Sequence, residues 1–188
     1  MSARILVAGI GNDLLGDDGF GVTAIRRLAA RGVPHDVRLH ESGIAGIGLV
    51  QELLDGFEAL VMLDAADRGA APGTLHLLEV EVPDTATLSD ERRRELMSDM
   101  HWTVPSLALI LARALDALPP KVFILGCQPT EMGLGIGLSP AVDRAATEAV
   151  ERVLVLIATL SAGSGAGSLA RREPVPAPAA ESPSGVGR

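Results

Sequence analysis

The sequence predicts an α/β fold: a mostly parallel, twisted five-stranded sheet with helices on both faces. Short apolar runs alternate with stretches whose apolar residues recur three and four apart, the pattern of strands joined by crossover helices. A glycine-punctuated loop follows the first strand, and carboxylates sit at the ends of successive strands.

Arg4 to Gly9 (RILVAG) is a β-branched apolar run ending in glycine, as in a strand buried on both faces. The loop Gly9-Ile10-Gly11-Asn12-Asp13-Leu14-Leu15-Gly16-Asp17-Asp18 leads into a first helix. Val22, Ile25, Leu28 and Ala29 have helical spacing there, Asp17 and Asp18 are candidate caps, and Gly32 is the stop. Asp36 to His40 alternates as a second strand, Gly46 to Leu54 reads as a helix, and Ala59 to Leu63 is a third, fully apolar strand ending at Asp64.

Pro72-Gly73 opens a fourth strand, Thr74 to Val82, whose partial alternation suits an edge. The charged stretch Asp90 to Asp99 reads as a solvated helix or loop. Leu107, Ile110, Leu111, Ala114, Leu115 and Leu118 draw one apolar helical stripe, opened by Thr103 and Pro105 and stopped by Pro119-Pro120. Val122 to Leu125 is the fifth strand. Ala141 to Leu160 is the closing helix, with Val142, Ala145, Ala149, Val153, Leu156 and Leu160 on its apolar side. From Ser161 the composition turns to Gly, Ser, Ala and Pro, too poor in apolar area to offset ordering. The expected organisation is one folded domain over residues 3–160 and a disordered tail over 161–188.

The chain has 188 residues, 47% of them hydrophobic, which suits a single core. Its formal charge of −8 opposes binding to nucleic acid phosphates and suits a cationic ligand or a basic partner surface, besides favouring solubility. No apolar run is long enough to span a bilayer, and the N-terminus has no basic leader, so the expectation is a soluble cytoplasmic protein. Cys127, the single cysteine, excludes an intramolecular disulfide, in keeping with a reducing compartment.

In open α/β sheets ligands bind beyond the carboxyl ends of the strands, where strand order reverses. Asp17 and Asp18 follow the first strand, Glu41 the second and Asp64 the third, so three crossovers each bring a carboxylate to one rim. Asp17 or Asp18 can equally cap the first helix, and Glu41, beside Ser42-Gly43, can be a turn residue. Asp64 closes an apolar run and requires a cation, a proton or hydrogen-bond donors. His101 precedes a helix whose positive end disfavours imidazolium, leaving a ring able to ligate. Two carboxylates and an imidazole suit a first-row divalent metal with open coordination positions. Cys127 reads as a small core residue, and His35, His40 and His76 as structural.

Residues 3–160 resemble the hydrogenase maturation proteases, which trim a C-terminal extension from the nickel-loaded large-subunit precursor of NiFe-hydrogenases. The resemblance rests on ILVAGIGNDLLGDDGFGV, the ESGIAG turn, the VMLDAAD segment, and His101 ahead of an apolar helix, with LGCQP later. It implies that Asp18, Asp64 and His101 are metal ligands, and that Gly9, Gly11 and Asn12 shape the loop after the first strand. It further implies nickel supplied by the bound precursor and endopeptidase activity, with Asp18, Glu41 and Asp64 as candidate catalytic carboxylates. ESGIAG departs from the DGGT-type turn of many members, with Glu41 where Asp is common and Ile44 where Thr is common.

Either a metal polarises the scissile carbonyl or activates a water, or a carboxylate such as Glu41 or Asp17 acts as base. A non-proteolytic nickel-binding assembly chaperone is the rival function for the same residues. A phospho-receiver domain would carry a lysine at the carboxyl end of the fifth strand, where Gly126-Cys127-Gln128 stands instead. A dinucleotide-binding G-x-G-x-x-G fails at Leu14.

Overall fold

A computed structural model of the chain describes residues 5–43, 46–82, 104–163 and 170–174. The elements in chain order are β1 (Ile5–Ile10), a 3-10 turn (Gly16–Gly19), α1 (Phe20–Arg31), β2 (Val37–Gly43), α2 (Ile47–Leu53), β3 (Ala59–Ala65), β4 (Leu75–Glu81), α3 (Val104–Ala114), β5 (Lys121–Cys127), α4 (Pro140–Ser161) and β6 (Arg171–Pro174). One sheet has the order β2-β1-β3-β5-β4-β6. β2, β1, β3 and β5 are mutually parallel, and β4 runs antiparallel to β5.

The apolar runs bury both sides of the sheet. Ile5, Val7, Val61, Leu63, Phe123 and Leu125 face α1 and α4, while Leu6, Ala8, Leu60, Met62, Val122 and Ile124 face α2 and α3. This two-sided burial is why β1, β3 and β5 read as continuous apolar runs. The chain leaves β1 toward β2 on one side and returns to β3 on the other, so strand order reverses between β1 and β3. No described helix is long and apolar enough to cross a membrane.

Three expectations are corrected. The sheet has six strands: residues 171–174, assigned to the tail, pair in parallel with β4, and the pairing is reinforced by Arg172 to Glu79 and Arg68 to Glu173. A composition reading averages over the surrounding Ala and Pro and passes over a four-residue strand. Residues 164–169 and 175–188 of the tail lie outside the described residues, as does the Asp90 to Asp99 segment.

Second, β4 is not an edge, because β6 covers it. It reverses direction because residues 66–74 are too short a link for a helical crossover. Third, the buried side of α3 carries Ala108, Leu109, Ile110 and Ala112, whereas Leu107, Leu111 and Leu115 are 52, 41 and 51% exposed. In a helix this rich in apolar residues, helical stripes can be drawn on more than one side, and spacing alone does not select the one that packs.

The N-terminal end of α1 lies against the sheet at a point where only glycine fits. A Cβ on Gly21 would stand 2.1 Å from the Leu63 carbonyl oxygen and 2.2 Å from that of Ile10. Both obstacles are backbone, so relief requires moving the helix off β1 and β3. Gly21→Ala is expected to lower stability by about 3 kcal/mol or more, read from urea denaturation. A loss below about 0.5 kcal/mol, the size of an ordinary surface change, would show that the helix seat is adjustable.

Candidate active site

The site is built where β1 and β3 end. After Ile10 the chain turns through Gly11, whose φ of +126° and whose Cβ position, 1.9 Å from the Asp18 carbonyl oxygen, both require glycine. Asn12 braces this turn twice: its side-chain oxygen accepts the Leu14 N–H at 3.0 Å, and its own N–H donates to Asp18 Oδ2 at 2.8 Å.

Neither aspartate caps α1. A 3-10 turn occupies Gly16–Gly19, and the helix starts at Phe20 with Gly19 as its N-cap residue. Asp17 is buried and turns instead toward the loop between β5 and α4. Its Oδ1 accepts the Ser139 N–H at 2.6 Å. Its Oδ2 accepts the Thr130 N–H at 2.8 Å, the Ser139 hydroxyl at 2.9 Å and, more weakly, the Glu131 N–H at 3.4 Å. Burial by itself would push this carboxyl up, but the three amides and the hydroxyl together outweigh it and hold Asp17 below its usual value. Two backbone bonds complete the join, Gly16 N–H to the Gly135 carbonyl and Gly135 N–H to that of Leu14.

Asp64 lies within the last turn of pleat of β3, on the side of the sheet facing α2 and α3. Desolvation pushes its carboxyl up to about 7, and the nearby charge of Asp18 adds to this against one hydrogen bond from the Ala65 amide. Asp18 and Asp64 are therefore brought together across the strand-order reversal. Two carboxylates in that position call for a cation or a shared proton. Among the described residues no cluster of three or more metal-ligating side chains occurs. His101, expected as the third ligand, lies outside the described residues.

Glu41 is placed elsewhere. It belongs to β2 rather than to a turn after it, stands beside Gly9 in the register, and is exposed. Both its oxygens are taken by Arg26 of α1, Nε at 2.9 Å and Nη2 at 2.6 Å, and Arg26 also reaches Asp13 at 2.9 Å. The structure thus puts Glu41 on the α1 side of the sheet, away from the side that carries Asp64. Cys127 is fully buried in the core beneath α4, and burial together with the charge of Asp17 pushes its thiol up to about 12.

Two residues carry more than the sequence suggested. Gln128, in the LGCQP motif, is buried; its Oε1 accepts the Arg68 and Ala70 amides and its Nε2 donates to Asp67, which fixes the loop after β3. His76 pairs across β4–β5 with Gly126, the residue that pairs with Asp64 on the other side. Its Nε2 is buried with no hydrogen-bond partner among the described residues.

Comparisons with known proteins agree with this fold. A family model described as HycI, hydrogenase maturation protease, matches residues 22–156. The hydrogenase expression/formation protein HupD of Rhodobacter capsulatus is 35% identical over 156 residues, 80% of this chain and 71% of that protein. A putative hydrogenase maturation protease of Methanocaldococcus jannaschii is 32% identical over 158 residues, 80% of this chain and 94% of its own length. In three dimensions the chain is similar to the hydrogenase maturating endopeptidase HybD of E. coli, with a TM-score of 0.66 and 30% identity over 85% of this chain and 94% of that one.

The Asp64 carboxyl makes a testable statement about pH. Its folded-state pKa of about 7 lies above the unfolded value, so the proton it holds supports the folded state at low pH and that support is lost as pH rises through about 7. In metal-free buffer Asp64→Asn is therefore expected to gain stability over the parent chain between pH 5 and pH 8, by about 2 kcal/mol. The check is urea denaturation at both pH values; a difference that does not change with pH would contradict the desolvation that raises the Asp64 carboxyl.

Proposed function

The chain belongs to the hydrogenase maturation protease family, and we propose that it is the endopeptidase that removes the C-terminal extension of a NiFe-hydrogenase large-subunit precursor after nickel insertion. The observation that carries this reading is the pairing of Asp18 with Asp64 at the reversal of strand order, with Asp64 driven up to about 7 by desolvation and by the charge of Asp18. Nickel enters as part of the substrate, so cleavage reports that the precursor has been loaded.

The residues fit such an ion. Asp18 and Asp64 supply oxygens, His101 would add an imidazole, and a mixed oxygen and nitrogen set with open positions suits a first-row divalent metal. A metal held there supplies Lewis acidity toward a carbonyl or a bound water. The protein's own contribution is placement. Among the described residues Asn12 is the hydrogen-bond partner of the Asp18 carboxylate and holds it at the end of the loop. The Asp64 carboxyl, raised to about 7, can exchange a proton with a water near working pH. Asp17 and Glu41, the other carboxylates considered as bases, have their oxygens committed to backbone amides and to Arg26. The free thiol of Cys127 suits the reducing cytoplasm in which we place the reaction.

The test is incubation with purified nickel-loaded and nickel-free precursors, followed by intact-mass measurement. Cleavage of the loaded form alone is expected, and Asp18→Ala and His101→Ala should each slow it by about a hundredfold or more with the circular dichroism spectrum unchanged. Nickel binding without cleavage by the parent chain would favour the assembly chaperone, and undiminished cleavage by both variants would remove these residues from the site.

A further inference from the structure

The loop that Asp17 holds is apolar at its surface. In Glu131-Met132-Gly133-Leu134-Gly135-Ile136-Gly137-Leu138, every second residue is a large hydrophobe and glycines separate them. Leu134 is 95% exposed and Ile136 is 90% exposed, while Met132 and the neighbouring Leu14 are each more than half exposed. Scattered surface leucines need no explanation, but four exposed hydrophobes carried on two loops that a β-bridge joins set apolar surface together at one end of the sheet, the kind of surface that marks a contact with another molecule.

These loops are held in place. Leu15 and Gly135 form a β-bridge, Gly135 exchanges backbone hydrogen bonds with Leu14 and Gly16, and Asp17 ties down both ends at Thr130 and Ser139. A Cβ on Gly16 would already stand 3.4 Å from the Gly133 carbonyl, so the two segments are in close contact. The hydrophobes are thus presented on a braced support that ends one residue from Asp18.

We infer that Leu14, Met132, Leu134 and Ile136 form the docking surface for an extended apolar segment of the precursor polypeptide beside the cleaved bond. The inference rests on the proposed endopeptidase reading and adds to it the chemistry of the peptide that is gripped. The occupant follows from continuity: a polypeptide whose scissile bond lies at Asp18 and Asp64 must pass over the residues next to Asp18, and the surface there offers apolar side chains and bare glycine backbone. Alternate side chains of an extended peptide fall on one side, which suits recognition by the alternate hydrophobes Met132, Leu134 and Ile136.

The test compares the parent chain with the double variant Leu134→Ser/Ile136→Ser, using the host's purified nickel-loaded large-subunit precursor. Both side chains are almost fully exposed, so the variant is expected to fold, and Leu134→Met/Ile136→Val serves as the conservative control. Kd for the precursor and KM for its cleavage should each rise about tenfold or more in the serine variant, with kcat at saturation retained and both constants restored in the control. Unchanged Kd and KM would overturn the inference, as would a variant that differs only in self-association. Binding by the parent chain that weakens in the variant, without any cleavage, would keep the docking surface and overturn the endopeptidase reading; no binding by the parent chain would overturn both.

Discussion

The buried carboxylate of Asp17 is the constraint on which the rest of the site depends. A charge removed from water must be met by donors, and here they all come from one distant loop: the amides of Thr130, Glu131 and Ser139 and the Ser139 hydroxyl. Hydrogen bonds to a charged acceptor contribute about 1.5–3 kcal/mol each, enough to fix the two loops against each other. Because the Asp17 pKa is lowered in the folded chain, this contribution is present above the ordinary carboxylate range and is lost as pH falls through the lowered value. Ser139, which begins α4 ahead of Pro140, spends its side chain on Asp17 and Thr130 rather than on capping its own helix.

With Asp17 committed to structure, Asp18 is the aspartate whose charge acts on Asp64. Asp17 and Asp18 are adjacent in sequence but sit in a 3-10 turn, so their side chains leave the backbone in different directions. Asp17 turns toward the β5–α4 loop, and Asp18 toward Asp64. The crowding of Gly11 against Asp18 and of Gly21 against Leu63 and Ile10 sets how closely the loop and α1 approach the sheet. That approach brings the charge of Asp18 close enough to act on the Asp64 carboxyl. Gln128 performs for the loop after β3 what Asp17 performs for the loop after β1, through a neutral amide that accepts from two backbone N–H groups and donates to Asp67.

Much of this was legible in the sequence. The runs that became β1, β3 and β5 are apolar on both sides because they are covered on both sides, and the spacing of α4 marks its buried residues correctly from Val142 to Leu160. Asp64 could be found because a carboxylate ending such a run cannot be indifferent to its surroundings. What escaped depends on partners far along the chain. Asp17 looked like a helix cap because its donors lie more than 110 residues away. The bond between Glu41 and Arg26 was not legible because Arg26 belongs to a helix surface that strand patterning does not register. β6 was hidden because its pairing with β4 depends on Glu79 and Arg68, and not on any apolar signal of its own.

The central claim, that one buried carboxylate holds the loop after β5 against the loop after β1, is tested most directly by amide hydrogen exchange in the parent chain and in Asp17→Asn. The account predicts that the Thr130, Ser139 and Gly135 amides are protected in the parent and lose most of that protection in the variant, while amides of β1, β3 and β5 keep theirs. Unchanged protection at Thr130 and Ser139 in the variant would show that the loops are held by something other than Asp17, and would contradict the account.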